Sequence, residues 1–419
     1  MQNQDWALVC HSNYGSKGTI AVVRPDKNGF SVAQLPMTQA TGKTPAARPY
    51  FFGINGDGQA ISMDPQSKTV VQSNELPADV FPAYAYLDPA HNRIWFVYDG
   101  DEDTGNDPVN CPNGGSSVTV VNRKTGKVLK TLCVGRGHHM TAFSAPSAQH
   151  PDVPKLAFVS DLLDGTMCIV GNDESNPDQF LKILKVINLC EPEKENGGQD
   201  CVPNNAFPHG ILYATSQGKI FSLNNGYGTI VVIDPRTLEI ENRYQLKHCS
   251  NLLGSAEGRF LVGKGADRKS NPDHVIGKLT VLDASSGDTV AHLDLQDFYP
   301  SVYRFSLDGK KLYLTSASTG KGTQFNNLQN TSVQVYDTSK LPAIQLQKTL
   351  QVGKASCGRR PIAFAHQGTQ ISHVFIPNPT DGTLSIFDGN DVLLDTVTIG
   401  EPNCEEVLFS FWGDNIYGA

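Results

Sequence analysis

The chain reads as an all-β fold built from a repeated four-stranded unit, and three observations predict it. Short apolar runs alternate with turn residues and return about every 45 residues. Glycine and proline are abundant, 39 and 25 of 419 residues, while only 18% are charged, which suits strands joined by tight turns and not long helices. A Gly-Thr-apolar opening recurs at one place in the unit, at Gly18-Thr19-Ile20, Gly165-Thr166-Met167, Gly228-Thr229-Ile230 and Gly382-Thr383-Leu384. Short strands at that spacing between turn signals predict a β-propeller.

The first unit takes its strands from Trp6 to Met37 and is completed by Glu405 to Phe411 from the far end of the chain. That pairing joins the two ends and removes an open sheet edge. The stretch from Arg48 to Leu76 is short and degenerate; eight blades result if it counts and seven if it does not. The clearest unit runs His209 to Tyr213, Lys219 to Leu223, Gly228 to Asp234 and Glu241 to Leu246. Gly277-Lys278-Leu279 and Ser332-Val333-Gln334 are variants of the third-strand opening. No linker or low-complexity segment divides the sequence, so residues 1–419 read as one domain.

The net charge of -8 argues against nucleic acid and anionic membrane surfaces as partners. No apolar run approaches the ~20 residues of a membrane helix. The first residues, Met1 to Asp5, are polar and carry no signal-peptide h-region, so either the protein is cytoplasmic or a signal has been removed and a Met added. Nine cysteines favour an oxidising compartment, the periplasm or the exterior, because several sit in polar loops. Three pairings are expected: Cys111 with Cys133, Cys190 with Cys201, and Cys357 with Cys404. Cys10 and Cys168 fall within strand patterns and read as small core residues. A monomer is expected.

In a propeller, the starts of innermost strands and the ends of second strands face one funnel. The first set gives Arg48, His138, His139, His209, His248 with Cys249, Arg359 with Arg360, and Glu405 with Glu406. The second set gives His11, then Asp99 and Asp101, then Ser160 and Asp161. Imidazole is the commonest metal-binding side chain. Histidines in three successive units, one of them doubled, therefore point to a metal site made of His138, His139, His209 and His248. Asp99 or Asp101, from the acidic loop of the preceding unit, would supply an oxygen. Three imidazoles and a carboxylate suit four-coordinate Zn²⁺; without the carboxylate the set could hold copper. Asp99, Asp101, Asp103 and Asp107 also match four positions of a Ca²⁺ loop, but Thr104 replaces its glycine and Asn110 its glutamate. Arg48 and Arg360 could clamp an anion, or pair with Glu405 and Glu406. His91, His150, His274, His292, His366 and His373 read as structural.

Four segments, Trp6 to His11, Phe96 to Asp101, Gly137-His138-His139 and Phe207-Pro208-His209-Gly210, together resemble the periplasmic zinc metallochaperones that serve ABC-type zinc importers. The resemblance spans about the first half of the chain. It implies an eight-bladed propeller, zinc held by Asp99 or Asp101, His138 or His139, and His209, and delivery to a periplasmic solute-binding protein. Those proteins often begin with a mobile tail rich in His and acid, and here only Met1 to Asp5 precede the first strand.

Gly137-His138-His139 also resembles the His-rich copper funnels of nitrous oxide reductase and thiocyanate dehydrogenase propellers. Those line the axis with six or more histidines, whereas the units from Phe298 to Phe411 offer Arg, Tyr and Glu. That leaves a mononuclear copper oxidoreductase acting on a small anion as the alternative. A third reading is a binding scaffold without metal or with Ca²⁺; Asn224, Asn225 and Glu406 also leave open a propeller hydrolase with Ca²⁺ at the axis. Motifs of serine hydrolases, phosphate-binding loops, haem attachment and zincins are absent.

Overall fold

The computed structural model describes residues 6–12, 19–36, 50–54, 60–63, 70–73, 82–90, 92–98, 111, 115–123, 125, 127–137, 139–256, 258–271, 273–316, 327–355, 360–402, 407–412 and 416–418. Among them lie eight antiparallel sheets and no α-helix. Six sheets have four strands, one has five and one has three. This is the strand arrangement of a β-propeller.

The N-terminal sheet holds Ala7–Ser12, Thr19–Asp26 and Gly29–Pro36, and its fourth strand is Val407–Trp412 from the far end of the chain. Leu8 pairs with Phe411 and Cys10 with Phe409, the pairing the sequence anticipates. The degenerate stretch forms the three-stranded sheet Tyr50–Ile54, Ala60–Met63 and Val70–Ser73. The other sheets run in chain order. They begin at Pro82–Leu87, His139–Ser144, Pro208–Ala214, Asn251–Gly254, Pro300–Phe305 and Ala363–Gln367. The last of these carries a fifth strand, Ile416–Gly418, alongside Ala363–Gln367, which the sequence did not signal. It covers an edge that would otherwise present unpaired backbone groups.

Contacts divide the chain into two compact units. One comprises Met1–Ala78, Ala266–Gly277 and Asp294–Ala419, the other Asp79–Gly265 and Lys278–Leu293. In the second unit, Leu156–Asp161 and Thr166–Gly171 are buried along their whole length. Alternate residues of a strand point to opposite faces. Phe158, Met167 and Ile169 accordingly pack with Ile211, Ile220, Val231 and Ile233. Ala157, Val159, Cys168 and Val170 turn the other way, onto Trp95, Val97, Val118 and Val120. In the first unit, Phe375 and Ile386 join Leu8, Cys10 and Val23, while Val374, Ile376 and Phe387 join Tyr313, Val333 and Val335. Double-sided burial explains why the middle strands read as continuous apolar runs. The outermost strand Gln345–Gln351 is mostly exposed and polar, which guards an edge against further pairing.

The Gly-Thr signature has a backbone cause. Gly165, Gly228 and Gly382 all sit at φ between +66° and +67°, a conformation open chiefly to glycine, just before the third strand. At Gly165 a Cβ would also lie 1.9 Å from Asn204 Oδ1, so the side chain of a later loop rests directly on this turn.

Cys111 and Cys133 form the expected disulfide, with Cα atoms 5.4 Å apart. Cys10 and Cys168 are buried core thiols, as the strand pattern implies. Cys357 and Cys404 lie outside the described residues. Replacing Cys111 and Cys133 by Ser should lower the unfolding free energy by about 3 kcal/mol, the loop-closure entropy of a separation of 22 residues. Urea unfolding checks this; a loss under about 1 kcal/mol would contradict it.

Candidate functional site

The motif Val134 to Met140 is shaped by what lies beneath it. Gly135 donates its amide to Asp161 Oδ1 at 3.1 Å, and a Cβ there would stand 2.6 Å from the Asp161 carboxyl carbon. Gly137, at φ +92°, has Leu163 in the same relation, again 2.6 Å from a would-be Cβ. Arg136, between them, binds Asp164 through its amide at 2.9 Å and its Nε at 2.6 Å, and its carbonyl accepts from Leu163. Only glycine at both positions lets the segment lie flat on the turn 161–164. The consequence is that His139 opens its strand in register with Asp161. Of His139 the backbone is described; His138 lies outside the described residues.

Asp161 is the residue that the sequence underrated, naming it only as a strand end. It is fully buried and accepts hydrogen bonds from Thr166 Oγ1 at 2.7 Å and Cys168 Sγ at 3.4 Å besides Gly135. Burial pushes its carboxyl up to about 7, with Asp164 adding to the rise and the bonds from Thr166, Cys168 and Gly135 opposing it.

His209 opens the next sheet on the strand Pro208–Ala214. The register with Lys219–Asn224 shifts between Pro208 and Ile211, a bulge at His209-Gly210. Gly210, at φ +112°, brings this bulge onto the neighbouring strand: a Cβ would lie 2.5 Å from the Leu252 amide nitrogen. Half-buried His209 thereby places Nδ1 2.6 Å from the Ser250 carbonyl. A carbonyl only accepts, so Nδ1 carries a proton, and in the neutral ring the lone pair belongs to Nε2. A metal-binding histidine has this form, its other ring nitrogen fixed by a carbonyl. His248 lies two residues before Ser250, exposed, in a turn at φ +62°. Its neighbour Cys249 is buried, and burial raises its thiol to about 11.

The remaining sequence candidates separate. Asp99, Asp101, Arg48 and Arg359 lie outside the described residues, as do Glu405, Glu406 and the rest of the acidic loop. Arg360, in the other compact unit, is fully buried, and its Nη2 donates to the carbonyls of Asn330 and Gly353 at 2.7 Å each. Its Nε and Nη1 have no partner among the described residues. Burial pulls its pKa down to about 10, against the pull of Asp381. Arg360 thus clasps two chain segments.

A second cluster lies after the strand Ile183–Asn188, where the sequence suggests a disulfide. Cys190 Sγ and Cys201 Sγ stand 3.9 Å apart as thiols. With a Glu195 carboxylate oxygen, these ligand atoms all fall within 4.8 Å of one another. Asn188 anchors the loop: its Oδ1 accepts from the Cys190 amide, and its Nδ2 donates to Asp200 and to the Cys201 carbonyl. Asn204 reinforces it by donating to Asn188 Oδ1, Cys201 O and Gly165 O. Glu195 accepts from the Asn205 amide and side chain at 2.7 Å each and from the Tyr227 hydroxyl, which hold its carboxyl below the ordinary value. Burial, Cys190, Glu195 and Asp200 push the Cys201 thiol up. The signal in the sequence is the acid-rich stretch between two cysteines eleven residues apart.

No protein-family model matches the chain, and no curated protein matches its sequence. Solved structures share its fold. A putative 6-phosphogluconolactonase from Bacteroides uniformis aligns over 97% of this chain and 100% of its own, with TM-score 0.53 and 12% identity. Another putative 6-phosphogluconolactonase, from Bacteroides fragilis, covers 98% and 99%, with TM-score 0.53 and 11% identity. A Lactobacillus plantarum protein covers 96% and 99%, with TM-score 0.53 and 13% identity. These likenesses support a β-propeller and give no support to membership in the zinc metallochaperone family.

Asp161 generates a pH prediction. Its carboxyl ionises near 4 in the unfolded chain and near 7 in the folded one, so the folded state binds the extra proton between these values. Stability therefore falls as pH rises through that window. Asp161→Asn removes the contribution, and its melting temperature should gain on the wild type between about pH 4 and about pH 7. An unchanged difference across that range would contradict the assignment.

Proposed function

We propose that this chain is an extracytoplasmic β-propeller that binds a transition-metal ion, zinc first and copper second, at the strand starts that carry His139 and His209. The observation that carries the reading is the Nδ1 to Ser250 carbonyl bond, which fixes His209 in the form whose Nε2 can coordinate. His139 supports it as the first residue of the preceding sheet's opening strand, His209 being the second residue of its own. His138, His248 and an oxygen from Asp99 or Asp101 complete the proposed ligand set. Imidazoles with a carboxylate favour Zn²⁺. The Cys111–Cys133 disulfide is compatible with an oxidising compartment. The role is metal handling: capture of the ion and transfer to a periplasmic solute-binding protein of a metal importer. Transfer proceeds when the partner's ligands replace those of the propeller one at a time.

Elemental analysis of the secreted protein tests this. His139→Ala and His209→Ala should each remove about one equivalent of zinc and weaken its binding at least about tenfold. His292→Ala, on an outer strand and bonded to Thr280, should change neither. Equal effects of all three substitutions, or none, would overturn the site. Copper with visible absorption bands in place of zinc would transfer the argument to redox chemistry.

A further inference from the structure

We propose that Cys190, Glu195 and Cys201 form a second, thiolate-rich metal site, separate from the imidazole site, for a borderline-soft divalent cation such as Zn²⁺. The first argument is distance. Two sulfurs bound to one tetrahedral ion at about 2.3 Å each stand about 3.8 Å apart. Cys190 and Cys201 stand at 3.9 Å, whereas a disulfide would require closure to about 2.05 Å. The third ligand type is already in place, since all three ligand atoms lie within 4.8 Å of one another.

The second argument is support. A metal-binding carboxylate is normally oriented by further hydrogen bonds. Asn205 and Tyr227 do this for Glu195, and the Tyr227 hydroxyl also touches Cys190 Sγ at 4.0 Å. These donors are neutral. Lys194, the nearest lysine in sequence, pairs instead with the buried Glu191. Among the described residues Glu195 has no cationic partner, so its charge stands beside the two sulfurs. The loop is held from below by Asn188 and Asn204, which would keep the ligands in place before an ion arrives.

Binding is balanced simply. The two thiols release two protons, two metal–sulfur bonds and one metal–oxygen bond form, and the complex carries one net negative charge. Three protein ligands leave a fourth position for water or an incoming ligand, as in zinc sites that keep an open position. Cys201 is partly exposed, so exchange with a second ligand can occur on that side.

Co²⁺ serves as the spectroscopic stand-in for Zn²⁺. The reduced full chain, with its thiols counted beforehand, is titrated with Co²⁺ and followed in the near ultraviolet. One equivalent should produce a thiolate-to-cobalt charge-transfer band, displaced by Zn²⁺. Cys201→Ser should abolish the band, and Glu195→Gln should weaken binding at least about tenfold. His209→Ala should leave the band intact, which separates this site from the imidazole site. Cys201 is the more exposed of the two cysteines, and an unchanged thermal melt confirms that Cys201→Ser folds. Absence of the band with both thiols reduced, or its persistence in Cys201→Ser, would overturn the proposal. A Cys190–Cys201 disulfide whose reduction yields no Co²⁺ band would do the same.

Discussion

Among the described residues, middle strands such as Leu156–Asp161, Thr166–Gly171 and Thr229–Asp234 are covered on both faces, and the rest of the structure depends on that constraint. Phe158 and Val159 are neighbours in sequence yet belong to different cores. So do Ile386 and Phe387 in the other compact unit. A strand of this kind has no face to offer a ligand. Several buried polar groups gather where the strands end, and a partner is worth most there because water is excluded.

The ends of the second strands are such places. Asp161, Asn224, Ser316 and Asn378 close Leu156–Asp161, Lys219–Asn224, Lys311–Ser316 and Gln370–Asn378, and all four are buried. Asp161 is satisfied by Gly135, Thr166 and Cys168; Asn378 donates to Thr383 and Ser385. The threonine of the Gly-Thr signature is therefore more than a strand former. Thr166 binds Asp161, and Thr229 binds the buried Glu191. The chemistry that the chain can perform follows from the same economy. His139 and His209 lie at strand starts because the strand middles are closed to them. Glycines at 135, 137 and 210 let loops approach closely enough to hold those starts in place.

The fold was legible because its signals are local. A glycine before a threonine in four of the repeats, and apolar runs bounded by turns, are visible in the sequence. The pairing of Ala7–Ser12 with Val407–Trp412 was legible too, since an unfinished first unit and a spare last strand imply each other. The strand Ile416–Gly418 was not, because three residues carry no periodic pattern. At the candidate sites the histidine positions could be read, but the tautomer of His209 could not; it depends on a carbonyl 41 residues away. Cys190 and Cys201 were read as a disulfide because spacing reveals proximity and not the distance between sulfurs. Glu195 became a candidate through Tyr227 and Asn205, which only the folded loop brings to it.

X-ray absorption at the zinc edge, on zinc-loaded Cys190→Ser/Cys201→Ser protein, tests the central claim of an imidazole site most directly. The account predicts a shell of nitrogen and oxygen at about 2.0–2.1 Å with the outer scattering of imidazole rings, lost when His209 is replaced by Ala. A shell of oxygen alone, or an imidazole signal that survives His209→Ala unchanged, would contradict it.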